Sequence, residues 1–70
     1  MRILVTGAGG FVGRHLSREL ARNGHTVLAF DQAFSAPVAD AAESHTGDLR
    51  DTAAMKRLFA SGHPDACVHL

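Results

Sequence analysis

The chain of 70 residues has no tryptophan and no tyrosine. Chemistry that needs a tyrosine therefore cannot be carried by these residues. Its one cysteine, Cys67, excludes an internal disulfide framework and fits a reducing compartment. There is no surplus of charge, since seven Lys and Arg balance seven Asp and Glu. A neutral balance offers no electrostatic footprint to nucleic acid or to an anionic membrane, and neither is expected as a partner. No apolar run approaches the roughly 20 residues of a membrane span. Ile3-Leu4-Val5 follows Arg2, but Gly7 to Gly13 interrupt the apolar run too early for a secretory signal. A cytoplasmic location is the expectation. The five histidines form no H-x-x-H or H-x-x-x-H pair, so no metal site is expected.

What is present is an ordinary globular composition, 46% apolar, which is too rich for a disordered chain. A domain this small buries only about 60% of the surface of its unfolded chain, so its stability is marginal.

The pattern alternates short apolar runs with helical periods. Met1 to Thr6 is apolar and β-branched and reads as a buried strand. Val12, Leu16 and Leu20 then fall at i, i+4 and i+8, one stripe of a helix. Arg14, Arg18 and Arg22 repeat that spacing on a face expected to be solvated, Arg14 alone lying near enough to the glycines to touch a phosphate. Asn23-Gly24 is a helix stop. His25 to Phe30 reads as a second strand closed by Asp31, and Gln32 to Glu43 as a loop with room for one helical turn. Ser44 to Gly47 reads as a short third strand. Asp51 is a good N-cap for a helix to Ser61 that pairs Ala54 with Leu58 and Met55 with Phe59, and Gly62 is its expected stop. Asp65 to Leu70 reads as a fourth strand, with Cys67 an inert core thiol. Strands alternating with helices predict parallel pairing through right-handed crossovers.

Between the first strand and the first helix lies Thr6-Gly7-Ala8-Gly9-Gly10-Phe11-Val12-Gly13. A helix N-terminus carries unpaired N–H groups and partial positive charge, which suit a pyrophosphate if no Cβ stands in the way. Gly7 permits the tight turn, Gly10 the approach of the ligand, and Gly13 the close packing of helix on strand. The spacing is G-x-x-G-x-x-G, and no Gly-Lys-Ser/Thr follows to make a Walker A loop.

Asp31 ends the second strand, 18 residues after Gly13. A dinucleotide fingerprint expects an acidic residue about 20 residues on, where it accepts bonds from the adenosine ribose hydroxyls. Such a carboxylate repels a 2′-phosphate, and Gln32, Ala33, Phe34 and Ser35 supply no cation beside it. NAD is therefore expected ahead of NADP. Asp48, after the third strand, stands where a side chain meets an adenine amino group, or else serves its own turn.

TGAGGFVG from Thr6, then Asp31, then GDL at Gly47 to Leu49, then HPDACVHL from His63 resemble the extended short-chain dehydrogenase/reductase family. Its nucleotide-sugar epimerases and dehydratases start in this way. The resemblance covers essentially the whole chain, but only the cofactor-binding start of such a protein. The T-G-x-x-G-x-x-G form belongs to the extended type; the ordinary short-chain form needs glycine where this chain has Phe11. The resemblance implies that Gly7, Gly10 and Gly13 form the phosphate loop, with Phe11 and Val12 offering backbone N–H groups. It implies that Asp31 holds the ribose and that Asp48 and Leu49 contact the adenine. For the parent protein it implies an NAD-dependent epimerase/dehydratase-type oxidoreductase acting on a nucleotide sugar, as a homodimer. The Ser/Thr, Tyr and Lys of that family's chemistry lie further along, so no catalytic residue is assigned among residues 1–70.

The expected fold is α/β: the β-α-β-β-α-β start of a Rossmann-type doubly wound parallel sheet, with strand order 3-2-1-4. The apolar fourth strand would leave an open edge, so residues 1–70 are expected to be part of an NAD(P)-binding domain in a longer chain. Two other classes stay open. One is a non-catalytic NAD(P)-sensing regulator, which a downstream Tyr-x-x-x-Lys would exclude. The other is a small module that self-assembles through its fourth strand.

Overall fold

A computed structural model describes all residues, Met1–Leu70. The elements in chain order are β1 (Arg2–Thr6), α1 (Phe11–Arg22), β2 (Thr26–Asp31), β3 (Glu43–Thr46), α2 (Thr52–Gly62) and β4 (Ala66–His69). The strands form one sheet in the order β3-β2-β1-β4, with every pairing parallel, as the alternating pattern predicts.

Side chains of a strand alternate between faces, and the core divides accordingly. Ile3 and Val5 of β1 join Val27 and Ala29 of β2 on one face, with Ala8 and Val38. Leu16, Leu20 and Ala21 of α1 pack onto this cluster. On the other face Leu4, Leu28 and Phe30 meet Leu58 of α2. Leu4 and Leu28 pair in register and are fully buried, each worth about 1.5–3 kcal/mol of hydrophobic transfer. The inner positions of the central strands, Ile3 to Val5 and Val27 to Phe30, are therefore all apolar, as a sheet covered on both faces requires.

Several local expectations are corrected by packing. Val12 is 61% exposed, and the buried positions of α1 are Gly13 and Ser17. The helix sits so close to the sheet that only small residues fit at its contact line, which turns the buried stripe one residue away from Val12. Ser17 satisfies its hydroxyl by donating to the Gly13 carbonyl at 2.7 Å. Phe59 is 44% exposed, while Leu58 carries the contact of α2. The segment between β2 and β3 forms no helix, only one hydrogen-bonded turn in which the Ala41 amide donates to the Val38 carbonyl at 3.1 Å, and Val38, 5% exposed, pins it to the core.

Asp51 caps α2 as expected, accepting from the Ala54 amide at 3.1 Å, a bond worth about 1 kcal/mol. Gly62 is not the stop. It lies within the helix and is buried, and a Cβ there would stand 3.0 Å from Leu28 Cδ1. His63 takes the left-handed conformation instead, with φ 47°. Arg2 donates from Nε to the Gly62 carbonyl at 2.7 Å and satisfies that helix end. Cys67 is exposed rather than a core thiol, because Leu58 of α2 packs over Leu4 and Leu28 and not over the edge strand β4.

Candidate functional site

The carboxyl ends of the parallel strands bring together the glycine turn after β1, Asp31 at the end of β2, the turn after β3 and Leu70 after β4. Gly7, Phe30, Asp31, Gln32, Leu49 and Leu70 line a cleft of about 190 Å³ between them. Open α/β sheets bind ligands at this edge, where neighbouring crossovers leave in opposite directions.

The glycines divide the work by geometry. Gly7 has φ +74°, the left-handed turn out of β1, and its carbonyl accepts from the Gly10 amide at 3.3 Å. A Cβ on Gly13 would stand 2.2 Å from the Gly7 oxygen and 2.5 Å from Ala8 Cα, a distance no side chain tolerates. Gly10 differs. It is the N-cap of α1 in extended backbone, and the nearest atom to a Cβ there is the Gly7 oxygen at 3.6 Å. Nothing within the protein requires glycine at position 10.

No side chain caps α1. Its first intrahelical bond runs from the Arg14 amide to the Gly10 carbonyl at 3.0 Å, so the N–H groups of Phe11, Val12 and Gly13 have no acceptor in the protein. The Phe11 side chain is 89% exposed, and backbone N–H groups are what this turn presents. Unpaired donors in front of a side-chain-free surface at a helix N-terminus fit a pyrophosphate.

Asp31 Oδ2 accepts from the Gly9 amide at 2.9 Å and Oδ1 from the Gln32 amide at 2.7 Å. Each oxygen has a second lone pair for a further donor. The two backbone bonds set the carboxylate at the cleft wall without spending its capacity. Gly9, to which sequence reasoning gave no role, is thus an anchor of Asp31. A Cβ on it would stand 2.9 Å from both Asp31 Oδ2 and the Ala33 oxygen.

Asp48 and Leu49 separate in role. Leu49 lines the cleft beside Asp31. Asp48 turns its carboxylate to Arg50, which bonds it with Nε, with the second guanidinium nitrogen at 2.7 Å and with its amide at 2.8 Å. The Arg50 guanidinium first, and its backbone N–H second, hold the Asp48 carboxyl down to about 2. In this arrangement the charge of Asp48 serves its own turn.

Arg14 does not lie in a solvated stripe. Its guanidinium donates to the carbonyls of Gly9 at 3.1 Å, Pro37 at 2.8 Å and Ala36. Arg18 and Arg22, further along the helix, are exposed. Thr6, 2% exposed, hydrogen-bonds His69 Nδ1 through its hydroxyl at 2.7 Å and ties the ends of β1 and β4 together. No helix is long and apolar enough to cross a membrane.

A parallel sheet in the order β3-β2-β1-β4, with a glycine turn from strand to helix and a carboxylate ending the adjacent strand, defines the start of a Rossmann-type α/β fold. Within that class the chain belongs to the NAD-dependent epimerase/dehydratase family, whose family model matches residues 3–70. UDP-glucose 4-epimerase of Bifidobacterium longum is 35% identical over 77 residues, which cover 96% of this chain and 23% of that protein. 2-Alkyl-3-oxoalkanoate reductase of Stenotrophomonas maltophilia is 41% identical over 70 residues, 99% of this chain and 21% of that protein. The solved structure of UDP-glucose 4-epimerase from Bifidobacterium longum in complex with NAD+ and UDP superposes with a TM-score of 0.89 at 32% identity. It covers 100% of this chain and 24% of that one. The chain thus spans less than a quarter of the length of these relatives.

Proposed function

We propose that residues 1–70 hold the adenosine and pyrophosphate of NAD, as the cofactor-binding part of an epimerase/dehydratase-type oxidoreductase acting on a nucleotide sugar. The observation that carries the cofactor reading is Gly10. Its missing Cβ relieves no contact inside the protein, yet three unpaired N–H groups stand beside it. The Phe11, Val12 and Gly13 amides would hold the pyrophosphate, Asp31 the ribose hydroxyls, and Leu49 the apolar face of the adenine.

When bound, the nicotinamide supplies hydride acceptance and return. Residues 1–70 contribute binding and orientation. No proton-moving group of such an enzyme is assigned among residues 1–70. Asp31 favours NAD over NADP, because a carboxylate beside the ribose repels a 2′-phosphate. The nucleotide-sugar substrate and a homodimeric assembly are supported by the resemblance, and a cytoplasmic location by the single cysteine and the interrupted apolar run near the start. The Bifidobacterium longum relative, a UDP-glucose 4-epimerase, adds support for the substrate class.

Asp31→Ala tests the reading by calorimetry with NAD and NADP. Two charge-assisted bonds at about 1.5–3 kcal/mol each set the scale of the expected loss of NAD affinity. The gap between NAD and NADP narrows at the same time. Unchanged affinity for both cofactors would remove Asp31 from the site.

A further inference from the structure

The segment that follows Asp31 is tied to the glycine turn by a single side chain. Residues 33–37 donate no hydrogen bond, and the only two that they accept come from Arg14, at the Ala36 and Pro37 carbonyls. The third bond of the same guanidinium goes to the Gly9 carbonyl. The Gly9 amide in turn donates to Asp31 Oδ2. Gly9 is therefore held from both sides, through its carbonyl by Arg14 and through its amide by Asp31. Its lack of a side chain lets Ala33 and Phe34 close over it. A planar guanidinium has donors in fixed directions and can bridge several carbonyls at once; an ammonium is a point charge without that fork.

We propose that Arg14 is a positioning residue for the vicinal diol of the adenosine ribose. By bonding Gly9, Ala36 and Pro37 together it keeps the glycine turn and the segment after Asp31 in one arrangement. Through the Gly9 amide it keeps the Asp31 carboxylate oriented at the cleft wall. Arg14 acts on the ligand only through Asp31, which distinguishes it from a cation that touches phosphate. The role rests on the proposed cofactor site and adds to it a residue that its fingerprint does not include.

The test is a double-mutant cycle for NAD binding in the full-length protein, with Arg14→Met, Asp31→Asn and the two combined. Arg14→Met is expected to weaken NAD about tenfold, the scale of one lost hydrogen bond to a charged group. Combined with Asp31→Asn it should add little to the loss from Asp31→Asn alone, because both act through one carboxylate. Arg14→Lys should bind NAD as weakly as Arg14→Met, and Arg18→Met should bind as the parent does. In the NAD-free protein, Arg14→Met should speed amide exchange at Gly9, followed by NMR, and leave Ala42, which bonds the Val27 carbonyl, unchanged.

Additive losses in the cycle would overturn the proposal, since a residue that acts through Asp31 cannot add to its removal. Full affinity in Arg14→Lys would also overturn it, in favour of a direct phosphate contact in which charge suffices. If the parent protein binds no NAD, the cofactor reading itself fails; if Asp31→Asn leaves NAD affinity unchanged, Asp31 is not in the site and the role of Arg14 falls with it. If Asp31→Asn weakens binding and Arg14→Met does not, the site stands and the role of Arg14 falls.

Discussion

The amide of Gly9 donates a 2.9 Å hydrogen bond to Asp31 Oδ2, joining the glycine turn to the end of the neighbouring strand across 22 residues of sequence. The bond requires a close approach. A Cβ on Gly9 would stand 2.9 Å from the Ala33 oxygen and 3.0 Å from Phe34 Cδ1. Phe34 can swing aside, but the Ala33 oxygen belongs to the backbone. Gly9→Ala is therefore expected to destabilise the fold by about 1–3 kcal/mol, measured by denaturant unfolding. An unaltered midpoint would show that the segment after Asp31 yields freely.

Gly10 and Gly13 should separate binding from folding. A methyl group at position 13 would overlap the Gly7 oxygen and Ala8, which belong to the turn itself. Gly13→Ala is expected to cost about 3 kcal/mol or more and to leave little folded protein. Gly10 has φ −79° and ψ 176°, a backbone that alanine adopts readily, and open space before it. Gly10→Ala should change stability by no more than about 0.5 kcal/mol, while its methyl group intrudes where the pyrophosphate would lie. Thermal unfolding and calorimetry with NAD on the same sample check both halves. Undiminished NAD affinity in Gly10→Ala would exclude Gly10 from the ligand surface.

The Asp48–Arg50 pair predicts a feature of the acid limb. Asp48 is held at about 2, below its ordinary 3.8, so its contribution to stability is present above pH 4 and is lost as pH falls through about 2. Asp48→Asn removes that contribution at every pH. The stability difference between parent and variant should be constant from neutrality down to about pH 5, shrink steeply toward pH 2 and vanish only below it. The side chains are 42% and 88% exposed, so salt should reduce the difference further. Unfolding curves at stepped pH measure it. A difference that stays undiminished from about pH 5 to pH 2 would trace the effect to the turn rather than to the charge.

Much of the architecture was legible in the chain because its signals are local. Apolar runs of four to six residues, a change to helical period after the glycines, Gly24 with φ +86° and the Asp51 cap all report on neighbouring backbone. Parallel pairing then followed from alternating strands and helices, and the order 3-2-1-4 from the Rossmann-type doubly wound fold expected of them. The glycine spacing and Asp31 were legible for the same reason, since turn, helix start and strand end are consecutive features. The structure places Gly7, Asp31 and Leu49 at one cleft, with Gly10 and the Phe11, Val12 and Gly13 amides at the start of α1.

Other roles depend on which surfaces meet, and no spacing encodes them. Arg14 looked like one member of an exposed stripe until the segment of Ala36 and Pro37 came within its reach. Ser17 replaced Val12 as a buried position because Gly13 draws the helix onto the turn. His63, not Gly62, ended α2, since Gly62 was needed against Leu28. Asp48 found Arg50, and Cys67 stayed exposed on the edge strand. The sequence by itself determined the elements, their order and the backbone freedom at Gly7, because these follow from local propensity and period. Only the tertiary structure decided what Gly9, Arg14 and Gly62 do, because close approach between segments distant in sequence is a property of packing.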